Sequence, residues 1–253
     1  MESIKKFLKQ IKWYEWLYMS VFFCIIICLS CVFNSGPLIT CNSLLGILTS
    51  FFLAKGKILG NFLGIVQSSL YIVMCYNNNY YGEIIVGACF TIPVYIASII
   101  SWARNLNKTD NIVKVNKNLS WQEWLCASLG DVMFTIGIFF LLDYFNTANL
   151  IISTLSVGSC AFARYLAVRR CEYNFLFQLP NNIMRMCLWI FVIIQKGDIS
   201  YITTIIQYIM YLCLNIFGAF NWIRLKKIQR LRKMVLKKRT EKLVMDKDYM
   251  KEV

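Results

Sequence analysis

Histidine is absent from the 253 residues. That removes at once the commonest biological metal ligand and the commonest general base, and with them most zinc and acid–base enzyme classes. Acidic residues are scarce as well, with 13 Asp+Glu against 27 Lys+Arg. Glu83, Asp131 and Asp143 stand on different apolar segments at different depths, so no carboxylate dyad for intramembrane catalysis is visible. Proline occurs only three times. Long polar stretches are also missing: the longest are 105–120 and the tail after Ile223, too short for a separate soluble domain. No small-x-small cleavage site follows the first apolar run, which is therefore expected to remain in the protein.

What the chain has in excess is apolar residues, 58% of the total, with a mean hydropathy of +0.55. Soluble domains sit nearer about 45–50%. Apolar runs of roughly 17 to 24 residues recur, each long enough to cross a hydrocarbon core about 30 Å thick. Eight are expected: Leu17–Phe33, Leu38–Ala54, Ile58–Tyr76, Ile84–Ala103, Leu125–Phe145, Leu150–Val168, Phe175–Ile194 and Tyr201–Ile223. Thr40, Asn42, Ser43 in the second and Ser153, Thr154, Ser156, Ser159 in the sixth suit helices that face other helices. Most of the 11 cysteines lie inside apolar runs, as in CIIIC at 24–28, and read as small apolar fillers.

Charge alternates from loop to loop. Lys5, Lys6, Lys9 and Lys12 precede the first span; Lys55 and Lys57 separate the second from the third; Arg104, Lys108, Lys114 and Lys117 separate the fourth from the fifth; Arg164, Arg169 and Arg170 end the sixth. The intervening loops FNSGPL, NNNYY and DYFNTAN hold no Lys or Arg, and QKGDIS only Lys196. The positive-inside rule then puts both termini in the cytoplasm. The basic tail, with LKKIQRLRKMVLKKR at near-helical spacing, and the N-terminal KKFLKQIKWYEW read as amphipathic segments on the anionic inner leaflet rather than as nucleic-acid binders.

A short motif occurs twice. WYEWL at 13–17 is answered by WQEWL at 121–125, each at the start of a long apolar run, where Trp favours the membrane interface. KILGNFL at 57–63 is answered by RCEYNFL at 170–176, and SWAR at 101–104 by NWIR at 221–224. The three landmarks keep their order and all fall on the basic side, so two parallel repeats are expected, with substrate at their interface near the midplane. The implied organisation is a basic N-terminal segment 1–16, one transmembrane domain 17–223 built from repeats 17–104 and 121–223, and a basic tail 224–253.

Polar and aromatic residues share faces of several spans. In the seventh, Asn181, Arg185 and Trp189 are spaced i, i+4, i+8 beside Asn182, just after Pro180. In the eighth, Gln207, Tyr211 and Asn215 repeat the spacing; Gln67 and Tyr71 pair in the third, and Tyr95 follows Pro93 in the fourth. Such stripes offer ring faces and amides to an aromatic ligand with a sugar arm, or they cross-link helices. Arg185 near mid-span must face the interior or a partner, and Asp131 is the expected partner.

With these landmarks the chain resembles the PnuC-type vitamin transporters, from about Lys55 to Arg224. The likeness is carried by WQEWL, by STLSVGSCAFARYLAVRRCEYNFLFQLPNNIM, and by Tyr211, Asn215, Gly218 and Trp222, which fit Tyr-x3-Asn-x2-Gly-x3-Trp. The resemblance implies an all-α fold of two parallel repeats in a 3+1+3 SWEET-like arrangement with an extra N-terminal helix. It also implies facilitated diffusion of nicotinamide riboside or a related vitamin across a bacterial plasma membrane, without a cofactor. Trapping would fall to a separate intracellular kinase. Two aromatic wall positions of the family hold Asn174 and Phe177 here, and helix four reads SIISW in place of a Gly-Trp pair. Phe177 is carried as a wall residue, while thiamine, riboflavin and deoxynucleosides remain alternative substrates. A homo-oligomer is compatible with the sequence, and a scaffold without transport is the reading from another class.

Overall fold

The computed structural model describes residues 12–252 except 79, 108–109, 117–118 and 148; side chains of 81, 236–240 and 242–252 are not described. The basic N-terminal segment up to residue 11, and most side chains of the basic tail, lie outside the described residues. Within them, eight helices are long and apolar enough to cross a membrane. They are α1 (Trp13–Val32), α2 (Pro37–Ala54), α3 (Leu59–Asn77), a broken fourth span made of α4 (Tyr81–Val86) and α5 (Ile92–Arg104), α6 (Trp121–Tyr144), α7 (Leu150–Val168), α8 (Asn174–Lys196) and α9 (Ile202–Glu252). The break is a π-helical turn at Gly87–Thr91, just before Pro93. Pro93 has no N–H to give and its ring crowds the carbonyl one turn back, so the backbone widens there. Pro180 has no such effect, and α8 runs on through it.

The last helix extends well past the expected Ile223, because Arg224 onward is rich in helix-forming Lys, Arg and Leu. Between α5 and α6 the loop forms one feature that an all-helical reading omits: a two-residue antiparallel hairpin, Leu106–Asn107 against Ile112–Val113.

Six spans form a ring. The triple α2, α3, α4/α5 and the triple α7, α8, α9 meet where α9 packs on α2 and α5 packs on α7. Outside the ring α1 leans on α2 and α9, and α6 leans mainly on α7. Only Leu142 of α6 is fully buried; one face of that helix is half-buried against α7 and the other is exposed. Cys28 and Cys31, one C-x-x-C spacing, sit exposed on α1 as free thiols.

Equivalent contacts recur in the two triples. Glu15 pairs with Lys55 at 2.6 Å, and Glu123 with Arg169 at 2.5 Å. Each Glu is the third residue of its helix, so the repeated Trp-x-Glu-Trp-Leu is a helix start that clamps the basic end of the neighbouring helix. Glu15 also accepts the Lys12 backbone N–H, while Ser120 caps the Glu123 N–H. At the ends of α2 and α7 the chain turns through left-handed residues, Gly56 (φ +67°) and Arg170 (φ +58°). The loop between the triples donates Val113 N–H to the Gly56 carbonyl and Asn116 N–H to that of Arg170. Trp102 Nε1–H donates to the Ala167 carbonyl at 2.9 Å and Trp222 Nε1–H to the Leu53 carbonyl at 3.1 Å. Beside them Ser101 reaches the Val168 carbonyl and Asn221 the Ala54 carbonyl. Each triple is thus tied to the other by the same two positions.

Candidate functional site

A cavity of about 90 Å³ lies inside the ring, walled by α2, α3, α4/α5, α7, α8 and α9. The helices approach closely enough to shape it only because glycines stand at the crossings. A Cβ on Gly46 would lie 1.7 Å from Tyr211 Oη, and one on Gly64 would lie 2.4 Å from the Tyr95 ring. Those absences of side chain let both tyrosines swing inward.

Of the residues expected from the sequence, Gln67, Tyr71, Tyr95, Asn181, Asn182, Arg185, Tyr211 and Asn215 line this one cavity. Gln67 donates to Asn42 Oδ1 at 3.1 Å, and Asn181 Oδ1 accepts from Ser156 at 3.2 Å, so both are oriented from behind by small polar residues of α2 and α7. Three expected residues do not line it. Phe177 points away from the ring and packs against Trp124 and Phe162, with centroids 6.0 and 4.8 Å away. It lies about 40° around the helix from Asn181, enough to leave the cavity arc. Trp189 is one turn too far along α8 and stacks on Tyr201 at 4.9 Å, edge-on to Tyr71 and Tyr80. Gln207 accepts from Ser43 at 2.9 Å and is hydrogen-bonded to Tyr211 Oη, so it joins α9 to α2.

The partner of Arg185 is also different from the expectation. Its Nη2 meets Glu83 Oε2 at 3.2 Å, with Glu83 only 2% exposed, and its guanidinium lies over the Tyr71 ring at 4.8 Å. Asp131 is on α6, outside the ring, and makes no salt bridge to Arg185. Arg164, counted in the sequence only as a basic helix end, turns inward and stacks on Tyr95 at 4.1 Å. Thr49, Asn61 and Thr91 also line the cavity; an isolated Thr in an apolar run carries no periodic signal, and Asn61 stands in the sequence only as part of the Asn-Phe-Leu landmark.

Aromatic layers flank the cavity at both ends. Toward the uncharged loops lie Tyr71, Tyr80, Trp189, Tyr208 and Val192 in one buried cluster. Toward the basic loops Trp102 and Trp222 meet at 5.4 Å, backed by Phe175, Ala54, Val113 and Val115. Both indoles are essentially fully buried.

Between these layers the polar atoms are undersatisfied. Thr49 Oγ1, Asn61 Nδ2, Glu83 Oε1, Thr91 Oγ1, Arg164 Nε, Asn182 Nδ2, Arg185 Nε and Asn215 Nδ2 have no protein hydrogen-bond partner, and all belong to cavity-lining residues. Buried polar groups are ordinarily paired, so a cluster of this size marks a chamber built to receive polar matter.

The profile of the nicotinamide mononucleotide transporter family matches residues 36–224, spanning both triples. The chain belongs to that family. Among curated proteins it is similar to the nicotinamide riboside transporter PnuC of Neisseria mucosa, 27% identical over 200 residues, covering 78% of this chain and 76% of the relative. The PnuC of Haemophilus influenzae is 22% identical over 183 residues, or 72% of this chain and 77% of the relative. A crystal structure of the vitamin B3 transporter PnuC shares the fold, with a TM-score of 0.76 at 24% identity over 85% of this chain and 93% of that one. This is therefore a multi-pass membrane protein of a transporter family.

Proposed function

We propose that this protein is a facilitative carrier of nicotinamide riboside or a closely related vitamin nucleoside across the bacterial plasma membrane. The observation that carries the reading is the chamber between the two triples, lined by tyrosines and amides with eight unpartnered polar atoms. Ring faces suit an aromatic base, and amides and hydroxyls suit a ribose. The named relatives are transporters of that substrate class.

The paired contacts of Trp102 and Trp222 support a parallel repeat, 17–104 and 121–223, in the 3+1+3 arrangement with α1 as the extra helix. The aromatic layers would act as alternating gates, one parting while the other stays shut. The Arg185–Glu83 pair supports tolerance of a cationic base, since it cancels the charge that would otherwise repel one. Gathering of Lys55, Lys57, Arg104, Arg169 and Arg170 on one face supports cytoplasmic termini, with the basic tail against anionic lipid. The carrier would run down a gradient kept steep by an intracellular kinase.

The test is uptake of radiolabelled nicotinamide riboside into liposomes holding the purified protein, against thiamine, riboflavin and deoxynucleosides as competitors. Saturable uptake that stops at equal concentrations inside and out supports the reading. Absence of uptake for every compound would leave the scaffold alternative standing in its place.

A further inference from the structure

The hairpin between the triples is fastened to both of them. Val113 and Val115 are buried against Trp102, Trp222 and Phe175, in the aromatic layer on the basic side of the chamber. Toward the first triple, Val113 N–H donates to the Gly56 carbonyl, and the Lys57 ammonium donates to the Asp110 carbonyl at 3.1 Å. Toward the second, Asn116 N–H donates to the Arg170 carbonyl. The hairpin therefore lies across the line along which the triples would separate.

The extension of α9 adds a further hold. Leu225, Lys226, Gln229 and Arg232 follow one another at i, i+1, i+4 and i+7, so they share one helix face, while the exposed Arg224, Lys227 and Arg230 take the opposite one. Leu225 packs on the Trp102–Trp222 cluster, Lys226 pairs with Glu172 just before α8, and Arg232 pairs with Asp110 in the hairpin turn. Gln229 makes the most specific contact. Its Oε1 accepts from Val115 N–H at 2.9 Å and its Nε2 donates to the Val113 carbonyl at 3.1 Å. One side-chain amide thus stands where the peptide unit of a neighbouring strand would, and covers the open edge of the hairpin. Two strands of two residues each do not hold together unaided, so the hairpin depends on such cover.

We propose that the hairpin is a staple across the basic-side gate, and that Gln229 is the residue that positions it. This deepens the carrier reading above and rests on its treatment of the aromatic layers as gates. Trp102 and Trp222 cannot part while Val113 and Val115 bridge them, so the chamber opens toward the basic loops only when the staple lets go. Neutral hydrogen bonds from one amide suit that duty, since each is weak enough to break and remake in every cycle. Gln229 touches no substrate; it acts through the hairpin.

Cys160 supplies the probe, because it lines the chamber and is only 2% exposed. A charged, membrane-impermeant methanethiosulfonate is added to membrane vesicles of each orientation that carry the full-length protein. Modification of Cys160 is followed by peptide mass, which separates it from the other thiols. Gln229→Leu keeps the bulk of the side chain and removes its amide. The rate from the basic-loop side should rise at least about fivefold over the wild type, the equivalent of one lost neutral hydrogen bond, with no rise from the other side. Arg232→Gln, at a position 59% exposed, should give a rise of about twofold on the same side, and it decides the matter if Gln229→Leu does not fold. No rise from the basic-loop side overturns the proposal. An equal rise from both sides also overturns it, since general loosening of the fold would give that result. Uptake of nicotinamide riboside is measured on the same vesicles: if none occurs while Cys160 responds as expected, the carrier reading falls and the staple stands.

Discussion

Replacing Glu83 with Gln would leave the Arg185 guanidinium charged, 14% exposed and without its counter-ion. Stranding one member of a buried pair in this way costs about 3–5 kcal/mol, because the remaining charge keeps its desolvation penalty and loses its compensation. The Tyr71 ring under Arg185 offsets a fraction, at about 1–2 kcal/mol for a desolvated cation over an aromatic face. A net loss of roughly 1–4 kcal/mol corresponds to a fall of about 2–16 °C in melting temperature for a chain of this size. The assay is thermal unfolding in detergent of the wild type, Glu83→Gln, Arg185→Met and the double variant. Removing both charges together should cost less than the two single losses added, by at least about 1 kcal/mol. Ligand binding should change in step: a cationic ligand about 6 Å from the unmasked guanidinium would lose roughly 3 kcal/mol at an effective dielectric near 20. Strict additivity of the two single variants would refute the pairing and the view that Glu83 masks Arg185.

The two helix-start clamps should differ in strength. Glu15→Gln breaks a pair whose side chains are 5% and 14% exposed, and should cost about 2–4 kcal/mol; Glu123→Gln, facing an Arg169 that is 44% exposed, should cost at most about 1 kcal/mol, both read from melting temperatures. At Lys57, in the loop between α2 and α3, burial pushes the ammonium down to about 8, with Lys55 adding to the fall and Asp110 opposing it. The folded state then binds fewer protons than the unfolded one between about pH 8 and the ordinary lysine value, so stability from this group rises with pH across that window. Lys57→Met should flatten that rise in a pH series of melts, and an unchanged slope would refute the assignment. Gly46→Ala places a methyl 1.7 Å from Tyr211 Oη, so Tyr211 must leave the cavity wall. Uptake should fall at least tenfold with a far smaller change in stability, measured on the same preparation.

The membrane spans were legible in the sequence to within a few residues at most ends, because bilayer thickness fixes how long an apolar run must be. Leu150–Val168 matches to the residue, while α9 overran because basic residues end a span without ending a helix. The Trp, Asn-Phe-Leu and Trp-x-Arg landmarks were legible too, and Trp102 and Trp222 turn out to make matching contacts. What the glutamates in Trp-x-Glu-Trp-Leu do was hidden, since Lys55 and Arg169 lie about 40 residues away along the chain. The polar stripes on α8 and α9 were found by spacing alone, yet Trp189 and Gln207 on those stripes build walls. A stripe runs the whole length of a helix, whereas a chamber occupies only its middle turns.

Some properties of this protein follow from the sequence by itself: that it resides in a membrane and that eight of its segments are long and apolar enough to cross one. Hydropathy and local motifs determine these, since each depends on a segment and the solvent around it. Tertiary structure decided the rest. Glu83 rather than Asp131 answers Arg185 because α6 lies outside the ring while α4 borders it. Arg164 turns inward because Tyr95 offers it a ring to lie on. Which neighbour a helix meets, and how far it is rotated about its own axis, are outcomes of packing among all the helices, and no single segment carries them.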